Sequence, residues 1–594
     1  MSFKNLVDLL QKSVTRFADR PIYGERSPSG AWTYRTYRDF GTEVAHFRGG
    51  LASLGVGPGD RVAVISNNRP AWAVGAYATY SLGACYVPMY EKQNPADWEY
   101  ILNDSGAKVL LAANAEIAEV VRGLAGRVKT LESVIDLSAA RTDPHSFKAL
   151  METGQANPVD AEDPDPDTLC GFIYTSGTTG KPKGVLLSHG NIISNVNAVI
   201  SIFDMAATDR SLSFLPWAHS FGQTCELHCG LAIGASSAIC DDVTKLVGYL
   251  SEVKPTLLFS VPRIFNRIYD GLNKKMAEAS PVKQKLFQGA MANANKRRQL
   301  KAQGKTNILV ECAHKVFDKL VFSKVRERLG GRLRYAFSGG AAISREVAEF
   351  IDNVGITVYE GYGLSETSPI ATANAPGKQR IGSVGRPLPG VEIIIDTEAV
   401  DESMGDQGEV LIKGPNVMQG YHNLKKETKA AIRKDGAFRS GDLGRVDKDG
   451  YLYITGRIKE QYKLENGKYV VPAPLEEQLK LSGYINQVLV YGDNRLFNVA
   501  IIVPDVEALQ DWAKKKGLPT ALTGLLARED VKGLYRAELA KFERDVFKGF
   551  ERVKAFELIS EEFSTDNDML TPTLKLKRRN VIKAYKDTIE ALYG

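Results

Sequence analysis

Eleven residues, Tyr174-Thr175-Ser176-Gly177-Thr178-Thr179-Gly180-Lys181-Pro182-Lys183-Gly184, constrain this chain more than any other stretch. Two short apolar runs flank them, Leu169 to Ile173 and Val185 to Leu187, each of a length suited to a buried strand. The stretch between is built to hold phosphate: glycines let backbone N–H groups approach an anion, hydroxyls donate to its oxygens, and lysines balance its charge. It is not a Walker A loop, which needs four residues between its glycines, then Lys-Ser/Thr and a helix. Here two residues separate Gly177 from Gly180, Pro182 follows Lys181, and a strand comes next. A flexible surface hairpin is the bland alternative. Gly-Thr-Thr-Gly also fits the G-x-x-G clamp of KH domains, but the flanking elements are wrong for that fold.

A chain of 594 residues divides into two or more domains. Residues 1–165 alternate helical and strand patterns: a helix over Asn5 to Phe17, a strand at Trp32 to Tyr34, a helix around Tyr37 to Leu54, and strands at Arg61 to Ile65 and Lys108 to Leu111. That order predicts a mainly parallel sheet with helices on both faces. Ala71 to Tyr90 holds no charged residue over 20 positions, nearly a membrane's thickness. It also carries Gly75, Gly83, Pro88 and four tyrosines, which predicts a buried helix followed by a strand at Ala84 to Val87. No signal-peptide core is read at Met1 to Asn5.

The six cysteines mostly sit in apolar surroundings, which suits reduced core thiols. His219, Cys225, His228 and Cys229 match no zinc spacing with a mechanism, and on a strand the adjacent His228 and Cys229 would point apart. A net charge of +6 suits anionic small molecules and does not by itself imply nucleic acid. The densest basic run, Asn295 to Lys305, reads as a solvated helix face or a patch for a membrane surface or polyphosphate.

Further motifs follow in order. Arg334 to Ala342 is a strand running into a small-residue turn, which suits a ligand against the backbone or a tight helix–strand contact. In Tyr359-Glu360-Gly361-Tyr362-Gly363-Leu364-Ser365-Glu366-Thr367 an aromatic ring can stack on a purine, a hydroxyl can hold an oxygen, and a carboxylate can bind Mg²⁺. Phe438-Arg439-Ser440-Gly441-Asp442 ends on a carboxylate able to accept both hydroxyls of a ribose. Tyr451 to Lys459, Gln461 to Leu475 and Leu570 to Arg578 follow.

Together these stretches resemble the signatures of the adenylate-forming superfamily of acyl-CoA synthetases, luciferases and peptide-synthetase adenylation domains, and most closely its bacterial long-chain fatty acid–CoA ligases. The resemblance spans nearly the whole chain. It implies an α/β fold with a large N-terminal domain, 1–458, of two mostly parallel sheets, flanking helices and a β-rich subdomain at about 381–458. A small mobile α+β domain, 459–594, follows. The lysine-rich helical stretch 272–330 resembles the insertion of long-chain members.

By the same resemblance, Thr175, Ser176, Gly177, Thr178, Thr179, Gly180, Lys181 and Lys183 hold the ATP phosphates. Gly340, Tyr362, Gly363, Ser365, Asp442 and Arg457 bind the nucleotide, and Glu366 holds Mg²⁺. Trp217, His219, Ser338, Gly339 and Gly340 border the acyl pocket. Lys459 is the hinge and Gly467 lies on the loop lining the coenzyme A tunnel. Lys575 is the catalytic lysine, acting with Glu366 and Arg457, and Lys577 is its alternative. Leu574 departs from the glycine most members carry there, a departure long-chain members share.

The activity implied is ATP-dependent formation of an acyl-AMP, then transfer to coenzyme A. Medium-chain or aryl acids, or a carrier-protein acceptor, are the nearest rivals. A nucleotide-binding regulator without catalysis is the rival from another class. The expected setting is the cytoplasm, as a monomer or homodimer with small-molecule partners and no nucleic acid; peripheral association with the inner membrane surface is left open.

Overall fold

Two sheets rich in parallel pairs carry the computed structural model, which describes residues 2–124, 126–175, 181–544, 547–571 and 574–594. The seven-stranded sheet runs Gly420–Tyr421, Lys183–Ser188, Leu169–Thr175, Cys85–Met89, Arg61–Ile65, Val109–Ala112, Ser133–Asp136. Its last five strands are mutually parallel, while Lys183–Ser188 folds back antiparallel on Leu169–Thr175. The nine-stranded sheet runs Arg386–Pro387, Ile370–Ala373, Val358–Gly363, Tyr335–Ser338, Leu257–Ser260, Arg210–Ser213, Ser236–Ile239, Pro21–Arg26, Trp32–Thr36. It is parallel from Val358–Gly363 to Pro21–Arg26 and antiparallel at both edges. Short apolar strands separated by helices leave little else: a parallel pair needs a crossover, and its helix covers a sheet face.

The main core includes helices Leu6–Phe17, Tyr37–Ser53, Pro70–Tyr80 and His189–Ile202, whose buried side chains join those of both sheets. Local chemistry sets their starts. Asn5 caps the first helix by accepting from Asp8 N–H at 2.7 Å, and Thr36 with Asp39 forms a capping box on the second. The uncharged stretch from Ala71 resolves into helix Pro70–Tyr80, buried on every face, then strand Cys85–Met89. Among the described residues no helix is long and apolar enough to cross a membrane.

A four-stranded antiparallel sheet, Glu392–Asp396, Gly408–Lys413, Phe438–Val446, Leu452–Arg457, follows the nine-stranded one in sequence. The smaller C-terminal part has its own sheet, Ile485–Tyr491, Asn498–Pro504, Val553–Leu558, with a separate apolar cluster on each side of it. The long helical stretch consists of Pro262–Ala277, Pro281–Ala302, Ile308–Phe317 and Ser323–Arg328, the last two joined by a π-helical turn, Asp318–Phe322.

Two expectations need correction. The basic run is not a uniformly solvated face, because Arg297 pairs with Glu311 at 2.8 Å and Arg298 with Glu349 at 2.7 Å. The segment holding Cys225, His228 and Cys229 is no strand: Gly222–His228 is a π-helical turn continuing into Cys229–Ile233. His228 is buried there with Nδ1 2.7 Å from the Tyr77 hydroxyl, and burial pushes its pKa down to about 3. A neutral ring already held by a tyrosine is a core residue.

Candidate active site

The strand–loop–strand reading places its two arms correctly. Leu169–Thr175 and Lys183–Ser188 pair antiparallel with Thr175 opposite Lys183. Ser176, Gly177, Thr178, Thr179 and Gly180 lie outside the described residues. Their neighbours Thr175, Lys181 and Lys183 line a cleft of about 3410 Å³. Lys181 Nζ lies 4.9 Å from the Tyr100 ring centroid, and Lys183 Nζ lies 5.0 Å from that of Tyr421. Each ammonium sits over an aromatic face, a cation–π contact that orders a long side chain.

Across the cleft, strand Val358–Gly363 delivers Tyr362 and the short turn Ser365–Thr367 delivers Glu366. The Tyr362 hydroxyl donates to Asp442 Oδ2 at 2.7 Å, and Arg457 Nε donates to Asp442 Oδ1 at 2.7 Å. Neighbouring strands explain the pair, since Asp442 and Arg457 stand opposite one another in the four-stranded sheet. Burial followed by the Asp442 charge raises the Tyr362 pKa, so the hydroxyl keeps its proton and remains a donor. A carboxylate has about four lone-pair sites, so Asp442 can still accept from a ligand.

Glu366 Oε1 accepts from the Tyr421 hydroxyl at 2.9 Å. Tyr421 reaches it because Gly420–Tyr421 pairs with Lys183–Ser188, Tyr421 opposite Val185. One tyrosine thus contacts both the Glu366 carboxylate and the Lys183 ammonium. Sequence reading gave it no role, since nothing in the motif spacing links residue 421 to residue 183. Ser365 Oγ lies 3.1 Å from Ser220 Oγ.

Gly363 answers to the backbone more than to a ligand, because a Cβ there would stand 1.7 Å from the Pro369 carbonyl oxygen. Gly340 differs: it has φ +82°, lines the cleft, and meets nothing within 4 Å of where a Cβ would be.

Lys575 enters from the C-terminal part on a tight turn. Thr571 N–H donates to the Lys575 carbonyl at 2.8 Å, and Lys575 N–H donates to Thr571 Oγ1 at 3.0 Å. Leu574 there has φ +61°, the left-handed region that glycine occupies without strain, so the departure from glycine at 574 is paid for in backbone energy. The residue is open to solvent along the cleft, yet chain surrounds the ammonium on most sides. Burial first, then Arg457, lowers the Lys575 pKa, while Asp442, Glu366 and Glu460 pull it upward. Lys577 is instead tied to the Asp568 carboxylate, so of the two candidates Lys575 is the one set among the cleft charges.

The cleft lining also includes the aromatic residues Phe203, Phe259, Phe337 and Tyr359. Phe259, Phe337 and Tyr359 stand in register on three adjacent parallel strands, with the Phe259 and Phe337 rings stacked at 4.7 Å. Phe203 closes on this row, 4.9 Å from Phe337. No strand read alone shows this face, which exists only once strands distant in sequence pair. Ser338 and Gly339 also line the cleft, and the buried Ser338 Oγ makes no hydrogen bond among the described residues.

His219 lines the cleft as expected. Burial, then the Lys575 charge, pushes its pKa down to about 4. Its Nδ1 accepts from Phe221 N–H at 3.2 Å, which leaves the proton of the neutral ring on Nε2.

Trp217 does not line the cleft. Its ring packs in the core against Tyr23 and Trp72, at 5.6 and 5.7 Å, and the Trp217 backbone N–H donates to Asn68 Oδ1 at 2.8 Å. The turn at 214–220 sends Pro216 and His219 one way and Trp217 the other. Gly467 caps the hairpin Tyr462–Lys463/Tyr469–Val470 with φ +83° and lies outside the cleft lining.

Residues 10–422 match the family described as AMP-binding enzyme, and residues 459–524 match the AMP-binding enzyme C-terminal domain. The chain is 35% identical to the long-chain-fatty-acid–CoA ligase FadD15 of Mycobacterium bovis, covering 97% of this chain and 95% of that protein. It is 31% identical to long-chain-fatty-acid–CoA ligase 1 of Cavia porcellus, over 100% and 87% of the two chains. In fold it is similar to the adenylation domain of a carboxylate reductase from Mycobacterium chelonae, with a TM-score of 0.78 at 20% identity over 99% and 91% of the two chains.

Proposed function

The chain belongs to the AMP-binding enzyme family, and on that premise we propose that it activates a long-chain fatty acid with ATP and passes the acyl group to coenzyme A. Named relatives at 30–35% identity over nearly the full length support the reaction class. The observation that carries the reading is the convergence of Lys575, Arg457, Asp442, Tyr362 and Glu366 on one cleft with an aromatic-lined recess.

In the first step a carboxylate oxygen of the acid attacks the α-phosphorus of ATP, and the bond to the bridging oxygen of pyrophosphate breaks. Acyl-AMP and pyrophosphate result. In the second, a thiol sulfur attacks the acyl carbon, loses its proton, and expels AMP. Neither step needs a covalent bond to the protein, so the chain contributes position and charge. Asp442 would accept the ribose hydroxyls, with Tyr362 and Arg457 fixing its oxygens, and the Tyr362 ring would stack on the purine. Thr175 through Lys183 would hold the leaving pyrophosphate. Lys575 would offset charge gathering between carboxylate and α-phosphate, and neutral His219 would present its Nε2–H to the acyl end of the site.

Mg²⁺ fits the residues present. Glu366 supplies a hard oxygen donor facing the cleft, with one oxygen steadied by Tyr421. Mg²⁺ is commonly held by one or two carboxylates plus substrate phosphates, a donor set this site can complete with ATP. Bound there it would neutralise phosphate charge. We further assign the boundary between the two domains, and the hinge, to Lys459. It lies in the turn 458–460, where Glu460 and Gln461 N–H both donate to the Arg457 carbonyl. The Gly467 hairpin would come to the thiol's path only after rotation there.

Chain length is supported by the aromatic recess and the 262–328 helices. Each buried CH₂ is worth about 0.8 kcal/mol, so such a recess rewards length but separates neighbouring lengths poorly. The test is pyrophosphate and AMP release across a panel of carboxylic acids, with and without coenzyme A. A palmitate-like acid should give the highest kcat/KM and need coenzyme A for AMP release. A preference for acetate or an aryl acid would sink the chain-length reading, and AMP release only with a carrier protein would sink the acceptor.

A further inference from the structure

The helical insertion has an outward face that the reaction does not use. Residues 272–330 hold 14 lysines and arginines against 4 acidic residues, a net +10, while the whole chain carries +6. The rest of the protein is therefore net acidic, and this stretch carries the excess positive charge. Two of the four acids are consumed internally, Glu311 by Arg297 at 2.8 Å and Asp318 by Arg326 at 2.7 Å.

The apolar pattern on Ile308–Phe317 and the following π-helical turn is two-sided. Val310 and Phe322 are buried, Phe322 in the apolar cluster that the insertion shares with strands and helices of the nine-stranded sheet, and Phe317 packs against that cluster. On the other side Ile308 is 81% exposed, Leu309 77%, Val316 56% and Leu320 44%. Lys305, Lys315, Lys319 and Lys324 are exposed around them, and Glu311 and Asp318 are not part of the exposed set. Nearby in sequence, Val282 is 77% exposed at the start of Pro281–Ala302, beside exposed Lys283 and Lys285. A helix that only meets water turns polar side chains outward. One that lies in a lipid interface presents apolar side chains among lysines, whose stems pack along lipid while their heads reach phosphate.

We propose that this face of the insertion docks on an anionic lipid bilayer, with Ile308, Leu309, Val316 and Leu320 entering the headgroup–acyl boundary and the surrounding lysines meeting lipid phosphates. Charge complementarity selects the sign of the surface. The exposed aliphatic row selects lipid over nucleic acid, because a phosphate backbone offers nothing to Ile308 or Leu309. The surface is separate from the nucleotide site and stands whether or not the acyl reading holds.

The test is flotation of the full-length protein with vesicles of phosphatidylcholine alone, or of phosphatidylcholine mixed with phosphatidylglycerol. Wild type should float only with the anionic vesicles, and less so as salt rises. Lys315→Glu/Lys319→Glu should weaken binding by more than about 25-fold, taking about fivefold per lysine near an anionic surface. Ile308→Ser/Leu309→Ser should weaken it at unchanged charge, and both variants should keep the wild-type Tm and pyrophosphate release from a short soluble acid.

No flotation of wild type, or wild-type binding by either variant, overturns the proposal. If the serine variant binds like wild type while heparin competes fully, the face is a general polyanion surface and the bilayer assignment is wrong. If wild type is a dimer in size-exclusion chromatography that the serine variant dissociates, the face is covered by a second copy and the assignment fails.

Discussion

Replacing Lys575 with alanine should separate the two half-reactions. The turn that presents it is fixed by backbone bonds to Thr571 at 2.8 and 3.0 Å, and alanine retains them. Lys575 is open to solvent, so stability should stay within about 0.5 kcal/mol of wild type. What is lost is one cation held among Arg457, Asp442, Glu366 and Glu460. Removing one preorganised group that stabilises transition-state charge costs roughly 2.7–4 kcal/mol, or about 10²–10³ in rate.

Lys575 lies among Arg457, Asp442 and Glu366, while Gly467 is not in the cleft lining, and on the proposed reading this arrangement suits the first step. Thioester formation from supplied acyl-AMP would use another face of the C-terminal part and should keep most of its rate. The assay pairs pyrophosphate release from ATP and palmitate with thioester formation from palmitoyl-AMP and coenzyme A. Equal slowing of both would refute the division of labour and leave Lys575 as part of a single fixed site or as a structural residue.

Three further outcomes follow from the same geometry. Glu366→Gln should keep the fold and the Tyr421 contact but lose a charge from the metal's donor set, costing several kcal/mol of adenylation; a wild-type Mg²⁺ titration of pyrophosphate release would mean the ion is held elsewhere. Lys459→Pro fixes φ in the turn 458–460 and should spare adenylation while slowing thioester formation; the two rates measured as for Lys575 decide it, and equal rates to wild type would move the hinge.

Glu226→Gln addresses pH. Burial raises the Glu226 carboxyl to about 7, with Ser213 Oγ donating to it at 2.6 Å. The folded state therefore holds a proton that the unfolded chain releases near pH 4.5, so this group's stabilisation is present at low pH and lost as pH rises through about 7. The wild type should lose roughly 3 kcal/mol relative to the glutamine variant between about pH 5 and about pH 8. Parallel urea midpoints for the two proteins across that range would refute it.

Much of this protein was legible in the linear sequence because the deciding physics is local. Alternating short apolar runs and amphipathic helices dictate a parallel-rich α/β sheet, since a parallel pair cannot close without a crossover. Asn5 and Thr36 mark helix starts through their own side chains. The resemblance of the motifs pointed to Tyr362, Glu366, Asp442, Arg457 and Lys575, and the fold brings all five to the lining of one cleft.

Tertiary structure decided everything that depends on what lies opposite. It turned Trp217 into the core while its neighbours Pro216 and His219 face the cleft, a choice made by packing against Tyr23 and Trp72. It aligned Phe259, Phe337 and Tyr359 into one aromatic face through pairing of strands far apart in the chain. It brought Tyr421 between Glu366 and Lys183. It also split one basic run, engaging partly exposed Arg297 and Arg298 in ion pairs while leaving lysines and an aliphatic row outward on the neighbouring helix. Residue type and spacing fix what a side chain can do; burial, register and pairing fix what it meets, and those come only from the folded chain.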